Sequence, residues 1–85
     1  MANYKLLTKP SAGKELEVLP MKDRKRVVAK IQRLATEPRP PGCEKLSGDD
    51  KLRIRQGNYR ILYTVNDANQ QIIIVKIRHR REVYR

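Results

Sequence analysis

Phenylalanine and tryptophan are absent from this 85-residue chain, and its four tyrosines are the only aromatic residues. A core must therefore be assembled from Leu, Ile, Val and Tyr. Cysteine occurs once, at Cys43, which excludes an internal disulfide and fits a reducing compartment. Histidine also occurs once, at His79, and one Cys with one His falls short of the ligand set a zinc site requires. No zinc site is expected on these grounds. No apolar run approaches the ~18 residues that would span a bilayer. The opening "MANYKLLTKP" lacks the apolar core and small-residue cleavage site of a secretory signal. These absences describe a cytoplasmic protein with no membrane association. Its length suits one domain over residues 1–85, near the lower limit of what a single core stabilises.

Acidic residues are also scarce. Twenty Lys and Arg stand against nine Asp and Glu, for a net charge of +11. Residues 1–50 hold 11 bases and 7 acids (+4), whereas residues 51–85 hold 9 bases and 2 acids (+7). A field of that sign favours polyanions, either nucleic acid or an acidic protein partner.

The apolar pattern divides the chain into two regimes. "YKLLT" (residues 4–8) predicts a short first strand. "PSAGKELEVLP" places Ala12, Leu16 and Leu19 at helical spacing before Pro20. In "MKDRKRVVAKIQRLATEP", Val27, Val28, Ile31, Leu34 and Ala35 form one apolar stripe, with Lys25, Arg26, Lys30 and Arg33 outside it, and Pro38 closes the second helix. "PRPPGCEKLSGDD" is loop by its prolines and glycines, with room for a brief strand at residues 44–47. Beyond it the period changes to two. "KLRIRQ", "YRILYTV" and "QQIIIVKI" read as strands, the first two joined at Gly57–Asn58 and the last two at "NDAN". The expected fold is α+β, in the order β-α-α-β-β-β, with two N-terminal helices packed on one face of a small antiparallel sheet. The other face is left available for work.

The open face is where the charge converges. Lys51, Arg53 and Arg55 alternate with Leu52 and Ile54, so the three cations share a side at intervals of about 6.6 Å, close to the phosphate spacing of a nucleic acid. Arg60 follows across the tight turn, Lys76 and Arg78 share parity on the last strand, and Arg80, Arg81 and Tyr84 come after. One strand of alternating cations is commonly a solvated or edge-protecting face. Convergence from three separate segments argues for a binding surface.

The residues that build this surface also carry a resemblance. "KLSGDDKLRIRQGNYRILYTV" followed by "IIIVKIRHRREVYR" resembles the RelE family of bacterial toxins, through K-L-x-G, the basic alternating strand, N-Y-R-x-x-Y and the terminal H-R-R-E-V-Y. Length and element order agree over the whole chain. The resemblance implies the toxin half of a type II toxin–antitoxin pair with a cognate antitoxin as partner. It further implies entry into the ribosomal A site and cleavage of mRNA without metal or cofactor. Arg60 takes the place of the arginine that grips the phosphate. Lys51 and Arg53 stand at the paired strand lysines, Arg80 at the arginine near the leaving group and Tyr84 at the C-terminal tyrosine. Lys45, Arg55, Lys76, Arg78 and Arg81 are the implied RNA contacts. The chain departs from the pattern at Arg53, which replaces a lysine, and at Ser47, which replaces an arginine inside the K-L-x-G stretch.

Elementary chemistry constrains the roles. Metal-free cleavage by 2′-hydroxyl attack needs in-line geometry, a proton acceptor, stabilised phosphoryl charge and help for the leaving 5′-oxygen. Arg60 and Arg80 suit fork-shaped phosphate contacts, and Arg80, with an unperturbed pKa above about 12, serves charge rather than proton transfer. The base is left open among Lys51, Tyr84 and His79, the last with an unperturbed pKa of about 6.5. Tyr63 reads as core, Cys43 as an inert thiol and Glu82 as a partner for a neighbouring arginine. Two other readings fit the same charge. One is a gyrase-inhibiting toxin of the ParE-like branch, which catalyses nothing; the other is a plain RNA-binding domain.

Overall fold

The stripe at Val27, Ile31 and Leu34 is the underside of a helix, and the strands it covers alternate as their period requires. A computed structural model describes residues 3–46, 48 and 50–79. The elements run β1 (Lys5–Thr8), α1 (Pro10–Glu17), α2 (Met21–Arg33), β2 (Glu44–Lys45), β3 (Leu52–Gln56), β4 (Tyr59–Asn66) and β5 (Gln71–His79). Pro10 opens α1 at its first turn, where a missing N–H costs nothing. In α2, Asp23 sits in the first turn and Lys30 and Arg33 in the last, the arrangement the helix dipole favours. This helix stops a turn before Pro38. The Leu34 N–H tightens onto the Ile31 carbonyl at 3.0 Å, and the Thr36 hydroxyl donates to the Arg33 carbonyl at 3.2 Å. Among the described residues no helix is long and apolar enough to cross a membrane.

Five strands form one sheet in the order β1-β5-β4-β3-β2. The expected antiparallel meander is present in β3, β4 and β5, and the α+β class with both helices against one face stands. The sheet as a whole is mixed, because β1 lies parallel to β5, with Lys5 opposite Gln71 and Thr8 opposite Ile74. The two-helix crossover carries the chain from one sheet edge to the other, and the meander then returns β5 to the side of β1. Gly57, with φ 60°, takes the first position of the two-residue turn that joins β3 to β4, a left-handed conformation that suits glycine.

The core draws Ala12, Val27, Ile31 and Leu34 from the helices and meets Leu52, Ile54, Ile61, Tyr63, Ile72, Ile74 and Ile77 from the sheet. Val28 and Ala35, read as part of the helical stripe, are only half-buried. Tyr63 is fully buried, as its core reading requires. Its hydroxyl donates to the Pro38 carbonyl at 2.7 Å and lies 3.3 Å from Cys43 Sγ, which pins the proline-rich loop to the sheet. Burial, with the Cys43 thiol beside it, pushes the Tyr63 phenol well above its ordinary range. At the far end, Asp67 accepts from the Tyr4 hydroxyl at 2.7 Å and from both terminal nitrogens of Arg39 at 3.2 and 3.0 Å. Those two partners, Arg39 first, hold its carboxyl below the usual range.

The last strand contains a bulge. Lys76 is opposite Leu62 and Ile74 is opposite Tyr63, which makes Val75 the extra residue. Buried positions therefore fall at Ile72, Ile74 and Ile77, and Lys76 and Arg78 are left on the other face. Without the bulge, strict alternation from Ile74 would turn both cations toward the helices. β5 also extends past the end of β1, and there the Ile77 N–H donates to Glu15 Oε1 of α1 at 3.1 Å, so a side chain satisfies the strand amide. Deletion of Val75 should convert the bulge to regular pairing without moving any residue to the wrong face. The expected result is a cooperative melt, followed by circular dichroism, within about 10 °C of wild type, given ~4–8 °C per kcal/mol at this size. Loss of the cooperative transition would show that the bulge itself is required for folding.

Candidate nucleic-acid interface

Register decides which cations meet. Arg55 is directly opposite Arg60, and Arg60 is directly opposite Arg78, so one arginine from each of three strands forms a single cross-strand row. The adjacent row holds Arg53, Leu62 and Lys76, and adds Glu44 of β2 opposite Arg53. With strands ~4.8 Å apart and like-facing residues ~6.6 Å apart, five cations occupy a patch roughly 10 by 7 Å. Both rows lie on the face opposite Ile54, Ile61 and Ile77, which the helices cover. Like charges directly opposite one another destabilise a sheet, so this row opposes folding stability. An arrangement of that kind suits an anionic ligand.

A carboxylate from β2 offsets part of the repulsion. Glu44 Oε2 accepts from Arg53 Nη2 at 3.3 Å, and Glu44 Oε1 lies 3.9 Å from Arg55 Nη2. Arg53 is three-quarters buried along its side chain, and its Nε is buried with no hydrogen-bond partner among the described residues. Sequence reasoning missed Glu44. Glu44 is one of three acids, with Asp49 and Asp50, that precede the basic strand in the sequence, and a two-residue strand is too short to show a period.

The remaining candidates fall elsewhere. Lys51 immediately precedes β3, half-buried, and its carbonyl accepts the Leu46 N–H at 3.0 Å. Lys45 pairs with Leu52 and so has the parity opposite to Arg53. It lines a depression of about 500 Å³ with Arg39 and Asp50, toward the Asn66 end of β4. His79 is opposite Tyr59, on the helix-covered side, and packs edge to face on that ring at 5.1 Å and 83°. The Tyr59 hydroxyl in turn donates to Asp23 Oδ2 of α2 at 2.8 Å; burial, and then that carboxylate, push its phenol upward. His79 is thus separated by the thickness of the sheet from the row that includes its neighbour Arg78. Strand alternation from Arg78 was the sequence signal for this. Arg80, Arg81, Glu82 and Tyr84 lie outside the described residues, as does Ser47.

Known proteins share both sequence pattern and fold. The profile of the ParE toxin of the type II toxin–antitoxin system parDE matches residues 6–84. The RelBE2 toxin–antitoxin complex of Mycobacterium tuberculosis contains a chain with TM-score 0.84 and 26% identity, with 94% of each chain covered. The archaeal RelE–RelB complex of Pyrococcus horikoshii gives 0.79 and 30%, covering 92% of this chain and 96% of that one. The intact RelBE complex of E. coli gives 0.77 and 26%, covering 87% and 93%. Curated protein sequences yielded no match. Helices on one face of a mixed five-stranded sheet are common to this chain and these toxins. By the family match over nearly its full length, the chain is a member of the ParE toxin family of type II toxin–antitoxin systems, within the RelE/ParE superfamily.

Proposed function

We propose that this toxin is a ribosome-dependent mRNA endoribonuclease that cleaves in the A site by 2′-hydroxyl attack on the adjacent phosphate. The observation that carries the reading is the Arg55–Arg60–Arg78 row, which gathers guanidinium groups from three strands and suits a phosphate backbone. In the reaction the 2′-oxygen bonds to phosphorus, the bond to the 5′-oxygen breaks, and the products are a 2′,3′-cyclic phosphate and a 5′-hydroxyl. Arg60 grips the phosphoryl oxygens as negative charge develops on them. Arg80 stabilises charge near the leaving oxygen, and Tyr84 orients the attacking hydroxyl or a flanking base. Lys51 or Tyr84 takes the 2′-proton. The same role for His79 loses support from its position against Tyr59. Arg53, Arg55, Lys76 and Arg78 bind the RNA strand along the open face, and Arg81 adds a further phosphate contact. Lys45, on the opposite parity, is a weaker candidate for that contact. The relatives were crystallised with RelB antitoxins, which supports a cognate antitoxin as the resting partner of this chain; mRNA on the ribosome is the target this reading assigns to it.

One observation favours a second reading. The matching family is named for ParE, and resemblance to the ParE-like branch implies a toxin that poisons DNA gyrase by binding alone. The two readings separate on induction without antitoxin, when pulse-labelled protein and DNA synthesis are followed together. The nuclease reading expects translation to stop within minutes while DNA synthesis declines later. Early loss of DNA synthesis with translation intact would overturn it in favour of gyrase.

A further inference from the structure

We infer that Glu44 is a built-in competitor for RNA phosphate, and that it makes the open face selective against RNA that no other contact holds in place. The inference rests on the RNA-binding reading of that face. Glu44 is the only acid that strand register places on it among the described residues, and each of its carboxylate oxygens is turned to a different arginine, at 3.3 Å to Arg53 and 3.9 Å to Arg55. Two non-bridging phosphate oxygens present the same charge and can bridge the same pair of guanidinium groups. An RNA strand must therefore exchange one anion for another at Arg53 and Arg55.

The exchange is thermodynamically feasible. Glu44 and Arg55 are both about half-exposed, so their attraction is screened, and exposed pairs of this kind are weak. It is also consequential. A carboxylate among five cations lowers the local potential and withholds two phosphate contacts from an RNA that merely collides with the face. An RNA held by a larger assembly arrives at high effective concentration and displaces Glu44. Arg53, being largely buried along its side chain, stays in place when the carboxylate leaves.

The probe is a fluorescein-labelled 12-nucleotide single-stranded RNA, titrated with full-length wild-type, Glu44→Gln and Arg60→Ala proteins at several salt concentrations. Glu44→Gln should bind roughly 3- to 10-fold more tightly at low salt. Its log–log salt slope should steepen by about 0.7 for each phosphate contact released, hence by up to about 1.4. Affinity equal to or weaker than wild type in Glu44→Gln, with Arg60→Ala weakened, would overturn the competitor role and leave the RNA-binding face standing. If Arg60→Ala binds as wild type, the RNA-binding reading of the face itself fails and the competitor role fails with it. Glu44→Thr, which keeps strand propensity at this edge position, gives the same readout with a different side chain.

Discussion

Arg60→Ala and Arg80→Ala should each slow single-turnover cleavage of mRNA on programmed ribosomes by roughly 100- to 1000-fold, the scale of removing one preorganised stabiliser of transition-state charge. Arg60 stands in the middle of the arginine row, between Arg55 and Arg78, and both neighbours remain when it is truncated. Ribosome binding should therefore fall far less than cleavage, since the other cations keep their phosphate contacts. The fold should survive as well. Arg60 is only half-buried, and its loss relieves two like-charge pairs across the sheet. Tyr84→Phe belongs in the same series because it removes a hydroxyl and keeps a stacking ring. A loss of rate with binding retained would assign that hydroxyl to orientation or proton transfer. The measurement pairs a cleavage time course with a binding titration for each variant. Rate and affinity falling in step would mean that these groups only bind, and wild-type rates in all three would remove the reaction from these residues.

The second large effect separates neighbours on one strand. Ile61→Ala should lower the melting temperature by roughly 10–25 °C, whereas Leu62→Ala should shift it by only a few degrees. Ile61 is fully buried against the helices, and Leu62 is half-exposed on the open face beside Arg53 and Lys76. Large-to-small truncation in a core costs about 2–5 kcal/mol, from lost transfer and the cavity left behind. A domain of this size holds only ~4–13 kcal/mol in total, so Ile61→Ala brings it close to unfolding. Each kcal/mol moves the midpoint by ~4–8 °C at this length. Thermal melts of the two variants under identical conditions test the one-sided sheet directly. Equal shifts would mean that the open face is covered too.

Much of this architecture was legible from local pattern. Leu52 and Ile54 alternating with Arg53 and Arg55 defined a strand with one buried and one cationic side, and the structure buries the first pair as that alternation requires. Val27, Ile31 and Leu34 at helical spacing announced the covering helix. Gly57–Asn58 marked the hairpin, and the quoted motifs marked the toxin family. Such signals survive in sequence because period, turn chemistry and composition depend on residues a few positions apart.

What tertiary structure alone decided concerns partners distant along the chain. The pairing of β1 with β5, Lys5 beside Gln71, depends on a crossover through two helices and runs parallel. The run Ile72–Val75 is uniformly apolar, so no period within it could show that Val75 is the extra residue; packing of Ile72, Ile74 and Ile77 against the helices selects it and thereby turns Lys76 and Arg78 outward. Alignment of Arg55, Arg60 and Arg78, and the approach of Glu44 to Arg53, follow from strand register, which the core face and the turns set together. The sequence by itself determined which residues could share the cationic face of the sheet. Only the folded sheet decided which of them do so side by side, because a one-residue change of register exchanges the two faces of a strand.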